Sequence, residues 1–600
     1  MTELEKKICE SVTQDFERRR EERRKTESGW ILGMNFVAGN QYCDVMPSGE
    51  VEEDVLSVKK KAFNYIAPMV ETRMSKLKRM RTSLKVRAFS DEESDLKIAM
   101  LSNDILSNAT ERIRLNALVD EATVWSETCG TAFYGVFWNN EGGKVIGIAD
   151  KKPLYEGEIE VEIIPPFELY PDSPIIASIE QQPSLIRARV VSVRSVKEKY
   201  GVELVGKDSA EFGTIPLVSG MRASCGLHDC VLLLERYTLP TGDEPDGKLE
   251  IVADDTLLYE GALPFVNGEY GRRGYPFIKQ VCMPIAGSFF GASVVERLIP
   301  LQRSYNAVRN RKQEFLNRLP LGVVTVEDGS VDTDELAEDG LAPGKILVYR
   351  QGSEPPKYLD CGDVPEEFEK EEDRLTDEFV KISGMNDVSG SYAYPSGVTS
   401  ATGLQLLIDR DDAKLTQTAG EIRECMQKIG THILRLYKQF AGEKRLVRMT
   451  GEGKKVKLAY FSSSDLTADD IIFEEGEELN GSTRKNLVLD LMDRGLLSDG
   501  EGKLSVDSKN RILDAIGCGS FENMSDLTSL QRNRAREENL GERALVLSEY
   551  DDDEVHVAEH VRFLLSDSGG REAEMTRHII CHKKRLEEKN GRREQDTANP

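Results

Sequence analysis

The chain alternates between stretches with helical apolar spacing and stretches of short β-branched runs, and the two kinds occupy different regions. Residues 3–28 read as a charged helix whose apolar stripe ends at Phe16. Two more helices are predicted at about 57–81 and 91–127, the second burying Leu96, Met100, Leu101, Ile105, Leu106 and Ala109. From 129 to 285 the period changes. "GTAFYGVFW", "GEIEVEIIPP", "SLIRARVVS", "CVLLLERYTL", "KLEIVAD", "DTLLYEG" and "YPFIKQVCMP" predict strands separated by Gly and Pro, with a hairpin turn at "NNEGGKVIG".

A heptad-like seam follows at Val294, Leu298, Leu301, Tyr305, Val308, Lys312, Phe315 and Leu319. "LGVVTV" and "GKILVYR" then predict two strands of a small insertion. A second helix starts at Pro365, with its seam at Phe368, Leu375, Phe379 and Ile382. After the Gly/Ser-rich stretch "GMNDVSGSYAYPSGVTSATG", a third helix is predicted over 401–440, about 60 Å long. "EKRLVRMTG", "KKVKLAYF" and "DIIFEEGE" predict strands that complete the earlier β-rich region. Short helices are expected over 481–517 and a helical segment over 525–567. The polar remainder from 568 is expected to be disordered.

Charge adds information the period does not carry. The first seamed helix has six bases and two acids over 294–319, and the second has eight acids and three bases over 365–384. Two seamed helices of opposite charge joined by a small insertion should pack together or against copies. The whole 600-residue chain carries a formal charge of −26, which opposes tight phosphate binding. The run "RRREERRK" at 18–25 is read as a solvated face, because Glu21 and Glu22 interleave. Ten scattered cysteines without a C-x-x-C pair fit free thiols in a reducing compartment. No run of 18 apolar residues exists and the N-terminus lacks an apolar signal core, so no membrane contact or lipid anchor is expected.

Candidate enzyme chemistry is sparse. No phosphate-binding G-x-x-x-x-G-K-[ST], no G-x-G-x-x-G after a strand and no G-x-S-x-G elbow occurs. His432 is placed on the long helix, exposed. Four of the six histidines fall in two H-x-x-x-H pairs, His556/His560 and His578/His582, near Asp551, Asp552, Asp553 and Glu559. An i,i+4 pair on a helix can bind zinc, but the surroundings read as a charged surface. No metal and no other cofactor is assigned, with His556 and His560 as weak candidates. Trp125 and Trp138 are read as core.

The order "FGASVVERLIPLQRSYNAVRNRKQEFLNRL", small β insertion, acidic helix, Gly/Ser/Thr-rich loop and very long helix resembles the portal proteins of tailed bacteriophages, of the podophage-like kind. The resemblance rests on this order, on the charge pattern and on a loose "FGxSxxxxLxPLQxxxNxxxN" from Phe290 to Asn310. It implies an α+β, ring-forming portal-type fold with wing, stem, clip and helical crown. An N-terminal helix (1–29) would precede the wing (30–292). The first stem helix (293–319), the clip (320–364), the second stem helix (365–384) and a tunnel loop (385–400) would follow. A long wing helix (401–440), the rest of the wing (441–517), the crown (518–567) and the charged tail (568–600) would complete the chain.

The same resemblance implies a non-catalytic homo-oligomeric ring, usually a dodecamer, at one capsid vertex of the virion, assembled in the host cytoplasm. Double-stranded DNA would pass through the ring during packaging and ejection. The tunnel loop would present Gly384, Asn386, Asp387, Ser389, Gly390, Ser391, Tyr392, Tyr394, Ser396, Gly397 and Thr399 to that DNA. The stem would use Arg303, Arg309, Arg311, Lys312, Arg318, Glu369, Glu372 and Asp373. The clip, with Asp332, Asp334, Glu335, Glu338 and Asp339, would dock the large terminase and later head-tail adaptor or tail proteins. The wing would meet capsid and scaffolding protein. Two rival classes are a metal-dependent nucleic-acid enzyme using the C-terminal histidine pairs and a monomeric adaptor without a channel.

Overall fold

The computed structural model describes residues 2–43, 61–79, 84–88, 90, 93–149, 152–208, 228–268, 271–318, 323–331, 346, 348–359, 365–384, 413–441, 445–450, 456–461, 466, 471–473, 491, 527–540, 544–566 and 572–597. Helix and strand are mixed throughout, an α+β chain. Contacts divide it into two units, residues 1–474 and 475–600.

The first unit opens with α1 (Glu3–Ala38), started by a Thr2/Glu5 capping box and ended by Gly39 in the left-handed conformation. The predicted end at 28 is overrun by a further ten residues, because Trp30 and Phe36 continue the buried stripe. Next come α2 (Ile66–Arg79), α3 (Glu93–Arg112) and α4 (Leu115–Cys129). The helix expected over 91–127 is two, because Arg114 sits at φ 54° between them. Of its predicted core face, Ile105, Leu106 and Ala109 are buried, while Leu96 and Met100 are exposed. The face turns outward toward the N-terminal end of α3.

Short β1 (Leu84–Val86) lies between α2 and α3. After α4 come β2 (Thr131–Asn139), β3 (Val145–Ala149), β4 (Lys152–Tyr155), β5 (Glu158–Ile164), β6 (Leu169–Pro171) and β7 (Ser184–Ser192). The short helix α5 (Val193–Tyr200) is followed by β8 (Cys230–Thr238), β9 (Lys248–Ala253), β10 (Thr256–Gly261) and β11 (Phe277–Val281). All pairings are antiparallel. One sheet has the order β10-β9-β8-β7-β6 and another β11-β2-β5, with β3-β4 as a separate hairpin. The turn after β2 therefore leads into β3 without pairing the two, since β5 takes the place beside β2.

The five-stranded sheet is covered on both faces, so its strands read as near-continuous apolar runs. Ile186, Ala188, Leu234 and Val252 meet Ile8, Cys9, Val12 and Phe16 of α1. Leu185, Leu233, Leu249 and Ile251 point the other way, into a core shared with Trp30, Phe133 and Phe277. Within the basic run of α1, Arg18, Arg24 and Lys25 keep the expected solvated face, Arg18 pairing with Glu22 and Arg24 with Glu21, whereas Arg19 and Arg23 turn inward. Arg23 donates to the backbone oxygens of Pro166 (2.9 Å), Phe167 (2.7 Å) and Leu169 (2.7 Å), with its guanidinium 3.5 Å from the Tyr170 ring centroid. Arg19 donates to the Tyr170 and Ser184 backbone oxygens. Both arginines are buried. They lie four residues apart and so face one side, whereas Arg24 stays exposed.

The chain continues through α6 (Val294–Arg318), β12 (Val323–Thr325), β13 (Lys357–Leu359), α7 (Glu366–Ser383), α8 (Thr416–Phe440), β14 (Arg445–Thr450), β15 (Val456–Phe461) and β16 (Ile471–Phe473). The last three strands do not join the large sheets. β14 and β15 pair with each other and β16 pairs with β1. Phe461 and Ile471 nevertheless enter the core that α8 forms with α3, α4, β2 and β5, where Trp138 stacks 5.2 Å from Phe440. Trp125 likewise packs against core. The continuous part of the third predicted helix is the 25 residues of α8, about 37 Å, because turn conformation interrupts it at 414–415. Residues 401–412, and nearly all of the predicted helices over 481–517, lie outside the described residues.

The second unit contains α9 (Leu527–Leu540), α10 (Asp553–Ser566) and α11 (Glu572–Thr597), with α10 packed between the other two in sequence order. The tail expected to be disordered from 568 is thus helical over 572–597. Its buried stripe of Met575, His578, Ile579 and His582 escapes an apolar-period search because half of it is histidine.

Candidate functional site: the antiparallel helix pair and its base

α6 begins behind Ser293, whose hydroxyl accepts from the Glu296 N–H at 2.9 Å, and it runs on through Pro300. Its apolar seam meets α7 in antiparallel register. Phe315 faces Phe368 (6.3 Å between ring centroids), Lys312 and Arg309 face Glu372, and Tyr305 faces Phe379 (6.2 Å). Glu372 lies between the two cations, 3.2 Å from Lys312 Nζ and 3.3 Å from Arg309 Nη1. It is the acid of α7 that the helix contact encloses, and a carboxylate there holds register through two partners at once. Lys312 also lies 3.6 Å from exposed Glu369.

Three further predicted stem residues sit outside the contact. Arg303 is exposed, its guanidinium 5.5 Å from the Phe36 ring centroid, and Arg311 and Asp373 are exposed. Arg318 ends α6. Ile382, expected in the seam, is 43% exposed, because Phe379 and Ser383 take the inward positions of that turn.

A second face of α6 carries a device that the apolar period does not reveal. Gln302, Asn306 and Asn310, spaced by four, each bind the extended backbone of residues 61–65. Tyr65 N–H donates to Gln302 Oε1 (3.0 Å), Phe63 N–H to Asn306 Oδ1 (3.0 Å) and Lys61 N–H to Asn310 Oδ1 (2.9 Å). Gln302 and Asn310 return donors to the Phe63 and Lys61 carbonyls at 2.7 and 2.9 Å. Four residues of helix rise about 6.0 Å, and two residues of extended chain about 6.6 Å. The ladder can therefore stay in step over three rungs. These are the Q-x-x-x-N-x-x-x-N positions of the Phe290–Asn310 pattern. An uncharged amide stripe at i, i+4, i+8 on an otherwise charged polar surface is the available signal.

The end of α7 is equally fixed. α7 ends at Gly384, φ 75°, a conformation that only glycine adopts freely. Arg73 of α2 donates to the Ser383 carbonyl at 2.7 Å and pairs with Glu127 of α4 at 2.8 Å. Arg73 and Glu127 are both buried. The predicted loop positions from Asn386 to Thr399 lie outside the described residues, as do Asp332, Asp334, Glu335, Glu338 and Asp339 of the insertion. The described insertion pairs Val323–Thr325 with Lys357–Leu359, so "PPKYL" contributes the second strand. "GKILVYR" was expected there. Instead its described residues leave Ile346, Val348 and Tyr349 exposed by 87%, 81% and 46%.

Other singled-out histidines also moved. His432 is partly covered, not exposed, and its Nδ1 is enclosed without a hydrogen-bond partner. His556, His560, His578 and His582 are all buried, against the expectation of a charged surface, and lie together between α10 and α11. No described helix is long and apolar enough to cross a membrane.

No curated protein matches the chain. Residues 248–484, about two-fifths of the sequence, match the family model described as Phage P22-like portal protein. The matched span includes α6, the β12–β13 pair, α7 and α8. Over this span the chain is similar to the P22-like portal proteins of phages, which bears out the portal resemblance of its sequence and supports a phage portal role.

Proposed function

We propose that the chain is the non-catalytic subunit of a portal ring, a dodecamer, at one vertex of a phage capsid, through which double-stranded DNA is packaged and ejected. The observation that carries this reading is the antiparallel α6–α7 pair inside the matched span, with the β12–β13 pair between the two helices in sequence and Gly384 ending α7. In this reading α6 and α7 are the stem and the β12–β13 region is the clip. The segment after Gly384, with Asn386 to Thr399, lines the channel.

Charge supports the assembly. The acids of α7 other than Glu372 point mostly to solvent, and so do Arg297 and Arg311 of α6. A neighbouring copy can set one helix's acids against the other's bases. Such a contact selects register and partner more than it adds affinity. The exposed apolar side chains of Ile346, Val348 and Tyr349 are a surface for the clip's partners, the large terminase first and adaptor or tail proteins later. The wing would meet capsid and scaffolding protein.

The test is native mass determination of the purified protein together with negative-stain images. Closed rings of about a dozen copies with a central hole are expected. A monomer or dimer at every concentration, with and without scaffolding protein, would overturn the reading.

A further inference from the structure

The second unit encloses five metal-donor side chains at one point. His556 and His560 come from α10, His578 and His582 from α11 and Glu538 from α9. One nitrogen of each histidine lies within 4.8 Å of the others. Glu538 Oε2 lies 3.5 Å from His556 Nδ1, 3.6 Å from His560 Nε2 and 3.4 Å from His578 Nε2. His578 Nε2 is 3.2 Å from His582 Nε2. Neighbouring donors at 2.0–2.1 Å from one ion stand about 3.3–3.4 Å apart when four are bound and about 2.9–3.6 Å apart when five are. The separations given fall within that range.

The outward nitrogens explain why the inward ones are bare. His560 Nδ1 is 2.6 Å from Asn539 Oδ1, His582 Nδ1 is 2.7 Å from Asp553 Oδ1 and His556 Nε2 is 3.0 Å from Gln531 Oε1. The two amides are held oxygen-inward, because Gln531 Nε2 donates to the Tyr550 carbonyl and Asn539 Nδ2 lies toward that of Glu559. The ring N–H of His556, His560 and His582 is therefore spent on an oxygen acceptor, which leaves a lone pair on the inward nitrogen of each of these three. That is the outer-shell arrangement by which proteins orient metal-binding imidazoles. Asp553 is itself held by Arg585 at 3.0 Å and Lys589 at 2.6 Å.

Glu538 Oε2, His556 Nδ1 and His560 Nε2 are buried with no hydrogen-bond partner. Glu538, His556, His560 and His582 are each at most 1% exposed. Three buried acceptors turned toward one another repel unless something positive sits among them. A proton satisfies one such pair, whereas a divalent cation satisfies all of them.

We propose that Glu538, His556, His560, His578 and His582 bind one first-row divalent transition metal, with zinc fitting the imidazole-rich donor set, and that the ion staples α9, α10 and α11 together. Imidazole with a single carboxylate suits Zn, Ni, Cu or Fe rather than Mg or Ca. The site is closed by burial and leaves no position for substrate, so its role is structural. This disfavours the reading of these histidines as an enzyme's catalytic centre.

The test uses untagged full-length protein. Elemental analysis after exhaustive dialysis should find about one transition-metal ion per chain, or metal-free protein should take up about one equivalent of added Zn²⁺. X-ray absorption of the wild-type protein should show nitrogen and oxygen neighbours at about 2.0–2.1 Å and no sulfur. His560→Ala with His578→Ala should drop the content below about a tenth of an ion, while His432→Gln, outside the cluster, should retain it. Chelation should lower the melting temperature of the second unit and zinc should restore it. The wild-type absorption spectrum keeps the test decisive if the double variant fails to fold. Absence of metal together with no uptake of zinc, nickel or cobalt overturns the proposal. So does stoichiometric metal that persists in the folded double variant, or a spectrum with sulfur neighbours. Ring formation is a separate readout, so failure here leaves the portal reading to its own test.

Discussion

Replacing Arg73 by Met tests whether the end of α7 is held as described. Arg73 joins three elements: its Nε lies 2.8 Å from Glu127 Oε2 of α4, its Nη1 donates at 2.7 Å to the Ser383 carbonyl at the end of α7, and it belongs itself to α2. Glu127 is fully buried, and Cys282 Sγ, 3.4 Å from its Oε1, is a weak donor. Met keeps most of the volume and removes the charge. Glu127 then remains as a buried carboxylate without its cation, which costs about 3–5 kcal/mol, and the Ser383 carbonyl loses its donor at about 1 kcal/mol. The expected loss is about 4–6 kcal/mol from the first unit. The double variant Arg73→Met, Glu127→Met leaves no stranded charge and should recover at least about 2 kcal/mol of it. Chemical denaturation followed by tryptophan fluorescence gives both values, since Trp30, Trp125 and Trp138 all lie in the first unit. Hydrogen exchange at residues 380–384 reports the end of α7 separately. A single variant within about 0.5 kcal/mol of wild type, or a double variant worse than the single, would refute the reasoning.

Asn306→Ala should cost about 2–4 kcal/mol, because it strands the Phe63 N–H and the Gln41 Oε1 that Asn306 reaches at 3.0 and 2.5 Å; proteolysis between 41 and 65 would report the released segment. Glu372→Ala should cost about 1–2 kcal/mol and weaken α6–α7 register, whereas Glu369→Ala, 72% exposed, should cost under about 0.5 kcal/mol; denaturation midpoints of the two variants make the comparison. His432 is pushed down to about 4 from the usual 6.5, by burial first and then by the charge of Arg435. The unfolded chain takes up this proton first, so its stabilising effect is complete above about pH 6.5 and fades as pH falls toward 4. His432→Gln should therefore flatten part of the stability loss between about pH 6.5 and 4, read as the difference between the two proteins' pH profiles. Gly130→Ala should prevent normal folding, since a Cβ there would lie 2.1 Å from the Gly291 oxygen at a φ of +87°; soluble yield and circular dichroism are sufficient checks.

The α6 and α7 helices were legible because two physical signals agreed: a 3.5-residue apolar spacing and a reversal of net charge between them. The β-rich region was legible because strands covered on both faces become plain apolar runs. What was illegible depended on partners distant in sequence. Arg19 and Arg23 look like solvent-facing charges until the carbonyls of 166–170 are placed beside them. Gln302, Asn306 and Asn310 look like ordinary polar helix surface until an extended segment about 240 residues earlier is laid across them. The C-terminal histidines failed for a different reason: a buried stripe made half of imidazole has no apolar period. Turn chemistry was the third gap, since nothing local in the chain announced that Arg114 would interrupt the helix expected over 91–127.

The 36 residues of α1 form one unbroken rod of about 54 Å. Its first turns lie on the five-stranded sheet through Ile8, Val12 and Phe16, its middle is pinned by Arg19 and Arg23, and Phe36 near its end enters the core of α6 and α7. A rod clamped at both ends and the middle transmits load without a hinge. A load on α6 and α7 is thus shared with the large sheet through α1, as one long strut shares load across a braced frame.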